Sequence, residues 1–189
     1  MRLFVGTFLG KQHVEKIPFG EIEESLKGDL KTIKKENIHM TWIFIGDIEG
    51  EVCKPHLQEM IEKQINLFKD LVFESHGLEL WPPRRLPRLI VLNGELRDQK
   101  SRDKVTLSLQ KLINNLKSIC NPDIKEDFIP HITIARFKKD KAIRTDFKPA
   151  STLPNMENFR WEIKEVSLIQ SILSSEGPKY EKVKNWKLV

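Results

Sequence analysis

The chain has 189 residues, 39% hydrophobic and 31% charged, with 9 Gly and 10 Pro, proportions that exclude collagen-like and disordered chains as well as a long multidomain machine. Its 32 Lys and Arg outnumber 27 Asp and Glu, and the formal charge of +5 inclines it towards anionic ligands such as phosphates or RNA. Cys53 and Cys120 lie far apart with no Cys-x-x-Cys pattern, so neither a disulfide framework nor a zinc site is signalled, and a reducing compartment is the simpler expectation.

The apolar opening, residues 3–8, is short and broken by Gly6, and reads as a first strand and not as a signal peptide. No apolar run reaches the length of a bilayer span, so a cytoplasmic location is expected. Residues 11–30 mix apolar and acidic positions at helical spacing, with Pro18 blurring the start. Residues 38–45 are almost wholly apolar or β-favouring and predict a strand closed by Gly46-Asp47. Leu57, Met60, Ile61, Ile65 and Phe68 recur at steps of three and four and predict a helix over 51–69. A strand over 71–81 ends at Pro82-Pro83, because proline has no backbone donor to continue a ladder. Residues 89–92 read as a strand before the Asn93-Gly94 turn, and 101–120 carries the clearest helical stripe, stopped by Asn121-Pro122-Asp123. A strand over 131–137 precedes a charged surface loop at 138–148, and strands at 161–173 and 180–188 flank a turn with Gly177-Pro178. This order favours an α+β fold with antiparallel pairing, and no solenoid repeat is visible.

One local pattern occurs twice. His39-Met40-Thr41-Trp42 and His131-Ile132-Thr133-Ile134 both fall in expected strands. Because side chains alternate along a strand, His39 shares a face with Thr41, and His131 with Thr133, while Met40, Trp42, Ile132 and Ile134 turn to the other face. Two such half-sites facing each other would flank a phosphorus with two imidazoles and offer two hydroxyls to its oxygens. A phosphodiester needs one group to deprotonate the attacking oxygen and one to protonate the departing oxygen. Histidine, with an ordinary pKa near 6.5, is available in both forms around neutrality, so this chemistry calls for no metal or cofactor.

Together with these motifs, Arg2-Leu3-Phe4-Val5, Glu36-Asn37-Ile38 before His39, Pro130 and Ala135-Arg136 around the second motif, Ser171-Ile172-Leu173 and Gly177-Pro178-Lys179-Tyr180 carry a resemblance along nearly the whole chain. The sequence resembles the 2H phosphoesterase superfamily, and within it the LigT-like RNA 2′,3′-cyclic phosphodiesterases. The resemblance implies a single bilobal domain over 1–189 with pseudo-twofold symmetry, two antiparallel sheets lining a central cleft and helices outside. It implies metal-independent opening of a 2′,3′-cyclic phosphate at an RNA or nucleotide end to a 2′-phosphate, with His131 as base for water and His39 as acid for the 3′-oxygen. Thr41 and Thr133 would then hold the phosphate, Arg136 would contact phosphate or base, and Tyr180 joins the substrate-binding set. A monomer is expected.

Two positions depart from the pattern or strain it. Val5 stands where some relatives carry a base-stacking aromatic, leaving that role to Phe4 or Phe8, and strict alternation sends Arg136 to the face opposite Thr133 unless the strand bulges first. Trp42, larger than the usual aliphatic, is expected to affect core packing only. His13, His56 and His76 read as structural histidines, and Tyr180 has the competing reading of a core side chain after a turn. The basic groups Arg84, Arg85 and Arg88, and Lys138, Lys139, Lys141, Arg144 and Lys148, read first as solvated loops and second as an RNA-attracting rim, with Asp140 and Asp146 partly neutralising the latter run. The alternatives to hydrolysis of RNA ends are an RNA-end-binding or 2′-5′ RNA ligase protein using the same pocket, and a phosphodiesterase for a non-RNA cyclic nucleotide.

Overall fold

The structure, a computed structural model, describes residues 1–25, 30–48, 53–83, 86–121, 123–125, 127–138, 153–175 and 177–188. Arg84, Arg85, Lys139, Asp140, Lys141, Arg144, Asp146 and Lys148 lie outside them, as does the side chain of Cys53.

Strand β1 (Arg2–Phe8) leads to two short helices, α1 (Lys11–Val14) and α2 (Phe19–Ser25), in place of one helix over 11–30. Pro18 divides them: its ring has no N–H for α1 to use, while its carbonyl accepts from Ile22 N and opens α2. The end of that segment is extended, as β2 (Leu30–Thr32), and a 3-10 turn at Lys35–Asn37 feeds β3 (His39–Asp47). Helix α3 (Cys53–Lys63) and a 3-10 turn at Ile65–Phe68 share the stripe read over 51–69. The strand expected over 71–81 breaks at Gly77, whose φ of +114° suits glycine, into β4 (Val72–His76) and β5 (Leu78–Trp81). Next come β6 (Leu89–Asn93), β7 (Glu95–Leu96), α4 (Gln99–Ile119), β8 (His131–Phe137), β9 (Glu157–Glu162), β10 (Glu165–Ser174) and β11 (Gly177–Lys187). Asp98 caps α4 by accepting from Ser101 N at 2.7 Å. The residues read as a single strand over 161–173 belong to two, β9 and β10, in different sheets.

The fold is α+β with two antiparallel sheets. The larger has eight strands in the order β11-β10-β1-β3-β8-β6-β5, with β2 also pairing β8, and the smaller is β7-β4-β9. Met40, Trp42, Ile132 and Ile134 from the two motif strands are buried with Leu109, Leu112 and Leu116 of α4 in one apolar core. That core covers one face of the larger sheet and leaves the other to the histidines. Phe4, Ile169 and Val91 are also buried, at 3%, 0% and 0% exposure, yet stand apart from this core. Phe4 and Ile169 are direct partners on β1 and β10, and Val91 is the partner of Thr133, so these three line the face that carries the motifs. Among the described residues no helix is long and apolar enough to cross a membrane.

Candidate active site

Strands β3 and β8 lie side by side and antiparallel, registered at Met40 opposite Ile132. Both are fully buried in the core, so their neighbours point to the open face. Antiparallel register then sets Thr41 beside His131 and His39 beside Thr133. The four side chains rise from a patch in which the imidazoles occupy one diagonal and the hydroxyls the other, with about 7–8 Å between diagonal positions. A tetrahedral phosphorus between the rings would have a base on one side and an acid on the other, the geometry an in-line displacement requires.

Each ring is oriented by the segment that leads into its strand. His39 Nδ1 meets the carbonyl of Asn37 at 2.6 Å, and His131 Nδ1 meets that of Ile129 at 2.8 Å. A carbonyl only accepts, so each Nδ1 carries the proton and donates it, leaving Nε2 for chemistry on the open face. Around His39 the rings of Tyr180, Phe4 and Phe8 stand at 4.9, 5.1 and 5.8 Å. His131 is covered by Trp81 at 4.5 Å. The Trp81 Nε1–H donates to Glu79 Oε2 at 3.2 Å, and Asn93 Nδ2 donates to the other oxygen of that carboxylate.

Burial is the main cause that pushes both imidazoles below the ordinary 6.5, and each receptive backbone carbonyl works against it. For His39 the positive charges of Arg136 and of His131 lower the value further, an electrostatic link between groups that the sequence separates widely. Burial raises the Tyr180 hydroxyl, opposed by Arg136.

Arg136 reaches this neighbourhood because β8 bulges. Its register against β6 passes from Ala135 opposite Ile90 to Thr133 opposite Val91, leaving Ile134 as an extra residue. Ile134 and Ala135 are consecutively buried and Arg136 returns to the face of His131 and Thr133. Strand β3 has the same irregularity, passing from Ile43 opposite Val5 to Thr41 opposite Gly6. There the exposed residue is Phe44, 51% accessible and directly opposite Phe4. Sequence reasoning did not single out Phe44, Trp81 or Glu79. The duplicated spacing from motif to bulge would have pointed to Phe44, whereas Trp81 carries no local signal because it reaches His131 from across the sheet.

Trp42 is a core residue, its Nε1 donating to Thr7 Oγ1 at 2.8 Å and its ring stacked on Phe128 at 5.1 Å. His13 packs edge-on to Phe159, and His76 pairs with Glu95 at 3.0 Å. Among the described residues no three His, Cys, Asp or Glu side chains gather as a metal-binding group.

A large antiparallel sheet bearing two His-x-Thr strands, related by a local twofold and backed by helices, defines the 2H phosphoesterase class. The fold is shared with the Thermus thermophilus protein TT0787, at a TM-score of 0.74 and 22% identity over 100% of this chain and 98% of that one. It is also shared with Escherichia coli LigT crystallised with 3′-AMP, at a TM-score of 0.64 and 18% identity over 99% and 96%. No protein-family model matches the chain. An RNA 2′,3′-cyclic phosphodiesterase of Aquifex aeolicus is 30% identical over 195 aligned positions, covering 100% of this chain and 97% of the relative. The chain belongs to the family of RNA 2′,3′-cyclic phosphodiesterases within the 2H phosphoesterase superfamily.

Proposed function

We propose that the protein hydrolyses 2′,3′-cyclic phosphates at RNA or nucleotide ends to 2′-phosphates, by general acid and base catalysis from two histidines. The observation that carries this reading is the diagonal pair of imidazoles across the Met40 and Ile132 register, each with Nδ1 committed to a backbone carbonyl. His131 Nε2 takes a proton from water as the water oxygen bonds to phosphorus. The bond from phosphorus to the 3′-oxygen breaks, and His39 Nε2 delivers its proton to that oxygen. The products are a 2′-phosphate and a 3′-hydroxyl, and proton exchange with solvent restores the starting forms. Thr41 and Thr133 donate to the non-bridging oxygens, Arg136 adds positive charge, and Tyr180 packs the wall beside His39. The proton transfers balance without a metal ion or cofactor.

Strands β3 and β8, one from each half of the chain, meet side by side in one sheet, which supports a reading of 1–189 as one two-lobed domain, and the enzyme is read as a monomer. Two cysteines far apart in the sequence and an RNA-end chemistry fit a cytoplasmic enzyme. The test is incubation with 2′,3′-cyclic AMP and with a short cyclic-ended RNA in EDTA, resolving the 2′- and 3′-phosphate products. Release of the 2′-isomer, lost by at least about a hundredfold in H39A and in H131A, is the expected result. Tight binding without turnover would favour the RNA-end-binding alternative, and dependence on added metal would overturn the mechanism.

A further inference from the structure

The two half-sites are built alike, and the likeness isolates what one side chain adds. Each Nδ1 is held by the carbonyl two residues upstream, that of Asn37 for His39 and that of Ile129 for His131. Isoleucine serves His131, so orienting a ring in this way asks nothing of the side chain beside the carbonyl. An asparagine at 37 needs a separate explanation.

Its amide supplies one. Asn37 Nδ2 donates to Pro178 O at 3.4 Å, reaching across 141 positions of sequence to the hairpin of β10 and β11. The base of that reach is fixed, because Asn37 N donates to Lys34 O at 2.8 Å within the 3-10 turn and the next residue, Ile38, is fully buried. The hairpin gains from an outside hold. Among the described residues β10 pairs with β1 only as far as Ser171 opposite Arg2, and 172–174 with 177–179 run on as a ribbon of two strands, a marginal structure by itself. Tyr180, opposite Ser171 and two residues beyond Pro178, stands at the root of this ribbon. Its ring meets His39 edge-on at 4.9 Å and Phe4 at 5.3 Å. His131 is covered instead by Trp81, from β5 on the other side of the sheet.

We infer that Asn37 is a positioning residue, whose side-chain amide fastens the hairpin and thereby keeps Tyr180 packed on His39. The packing is read without substrate, while its effect on turnover rests on the phosphodiesterase reading. The titratable and charged groups facing His39 are Tyr180 of β11 and Arg136 and His131 of β8, and Lys182 of β11 lies over the neighbouring Phe8 ring, paired with Glu165. Burial is what chiefly holds His39 below 6.5, so loosening Tyr180 admits water and raises it.

The experiment follows the imidazole Cε1–H signals by NMR across pH in the unaltered protein, N37A, N37L, Y180A and N37A/Y180A, with H39Q and H131Q assigning the two rings. In each protein kcat/KM is measured on 2′,3′-cyclic AMP. N37L keeps the bulk of the side chain without the amide. N37A and N37L should raise the His39 midpoint by about 0.5 towards 6.5, leave that of His131 in place, and lower kcat/KM by about three- to tenfold. Y180A should do at least as much, and adding N37A to Y180A should cost less than about twofold more, the non-additivity expected when one residue acts through another. Equal movement of both midpoints would make Asn37 a general support of the fold and overturn the inference, as would an unmoved His39 midpoint in both N37A and N37L or a full N37A loss on top of Y180A. Failure of the unaltered protein to hydrolyse the substrate would instead overturn the phosphodiesterase reading, and the NMR midpoints would still decide this inference.

Discussion

At the scale of residues, the two imidazoles are set apart from ordinary surface histidines by burial, which holds both below 6.5. In the proposed mechanism the productive form has one ring protonated and one neutral. The bell-shaped dependence of kcat/KM on pH, which reports the free enzyme, is therefore expected to peak on the acid side of 6.5. Binding of an anionic substrate favours protonated rings, so the kcat profile should lie at higher pH than that of kcat/KM. A kcat/KM maximum clearly above 7 would contradict this electrostatic account. Stability follows from the same shifts. The unfolded chain titrates the rings near 6.5 and the folded chain lower, so between those values the unfolded state binds more protons. The contribution is fully present above 6.5 and is lost as the pH falls through the folded values. Thermal melts from about pH 7 to pH 5 should show a shallower acid decline in the H39Q/H131Q double variant than in the unaltered protein. Trp81 offers a finer test. W81A should raise the His131 value towards 6.5 by removing the ring that covers it, moving one limb of the pH profile upward and lowering kcat/KM by about tenfold to a hundredfold. W81F should keep most of both, whereas a loss in W81A without movement of either limb would make Trp81 a packing residue only.

At the scale of elements, Gly94 joins β6 to β7 at the junction of the two sheets, its N–H donating to Pro130 O at 3.2 Å just before β8. A Cβ there would overlap the Trp161 ring, which is 1% exposed and stacked on Phe73 at 5.5 Å and so has little room to yield. G94A should cost about 1–3 kcal/mol in urea unfolding. A neutral result would mean that the indole repacks. Strand β8 was fully legible in the sequence, with the boundaries 131–137, because Pro130 and a β-branched run mark it locally. The helical stripe of α4 was legible for the same reason. The division of 71–81 was not, since Gly77 looks like any strand glycine until its two halves are seen to pair with β7 and β9 on one side and β6 on the other. The bulge at Ile134 was likewise hidden: whether a strand carries an extra residue depends on the register of its partner, which no local pattern encodes. The strand bearing His39 and Thr41 was visible, and so was their common face. Their diagonal placement against His131 and Thr133 depends on β3 and β8 being neighbours, a fact of topology.

At the scale of the whole molecule, the first half of the chain supplies one His-x-Thr strand and the second half supplies the other, and the site exists only where the two meet. If the enzyme acts as a monomer, H39A and H131A should not rescue each other. Mixing the purified variants, with or without joint refolding, is expected to restore less than about one per cent of turnover, given losses of a hundredfold or more in each. Recovery after joint refolding would reveal a dimer that exchanges halves.

The hydrogen bond from each Nδ1 to the carbonyl two residues upstream has a consequence for how such a protein diversifies. Each ring takes its bearing from a stretch of three residues and borrows nothing from its opposite number. Mutation can rework the outer helices while the nitrogens proposed to react keep their aim. The unit that has to be preserved is short enough to be copied as one portable piece, which is how the chain carries it: twice.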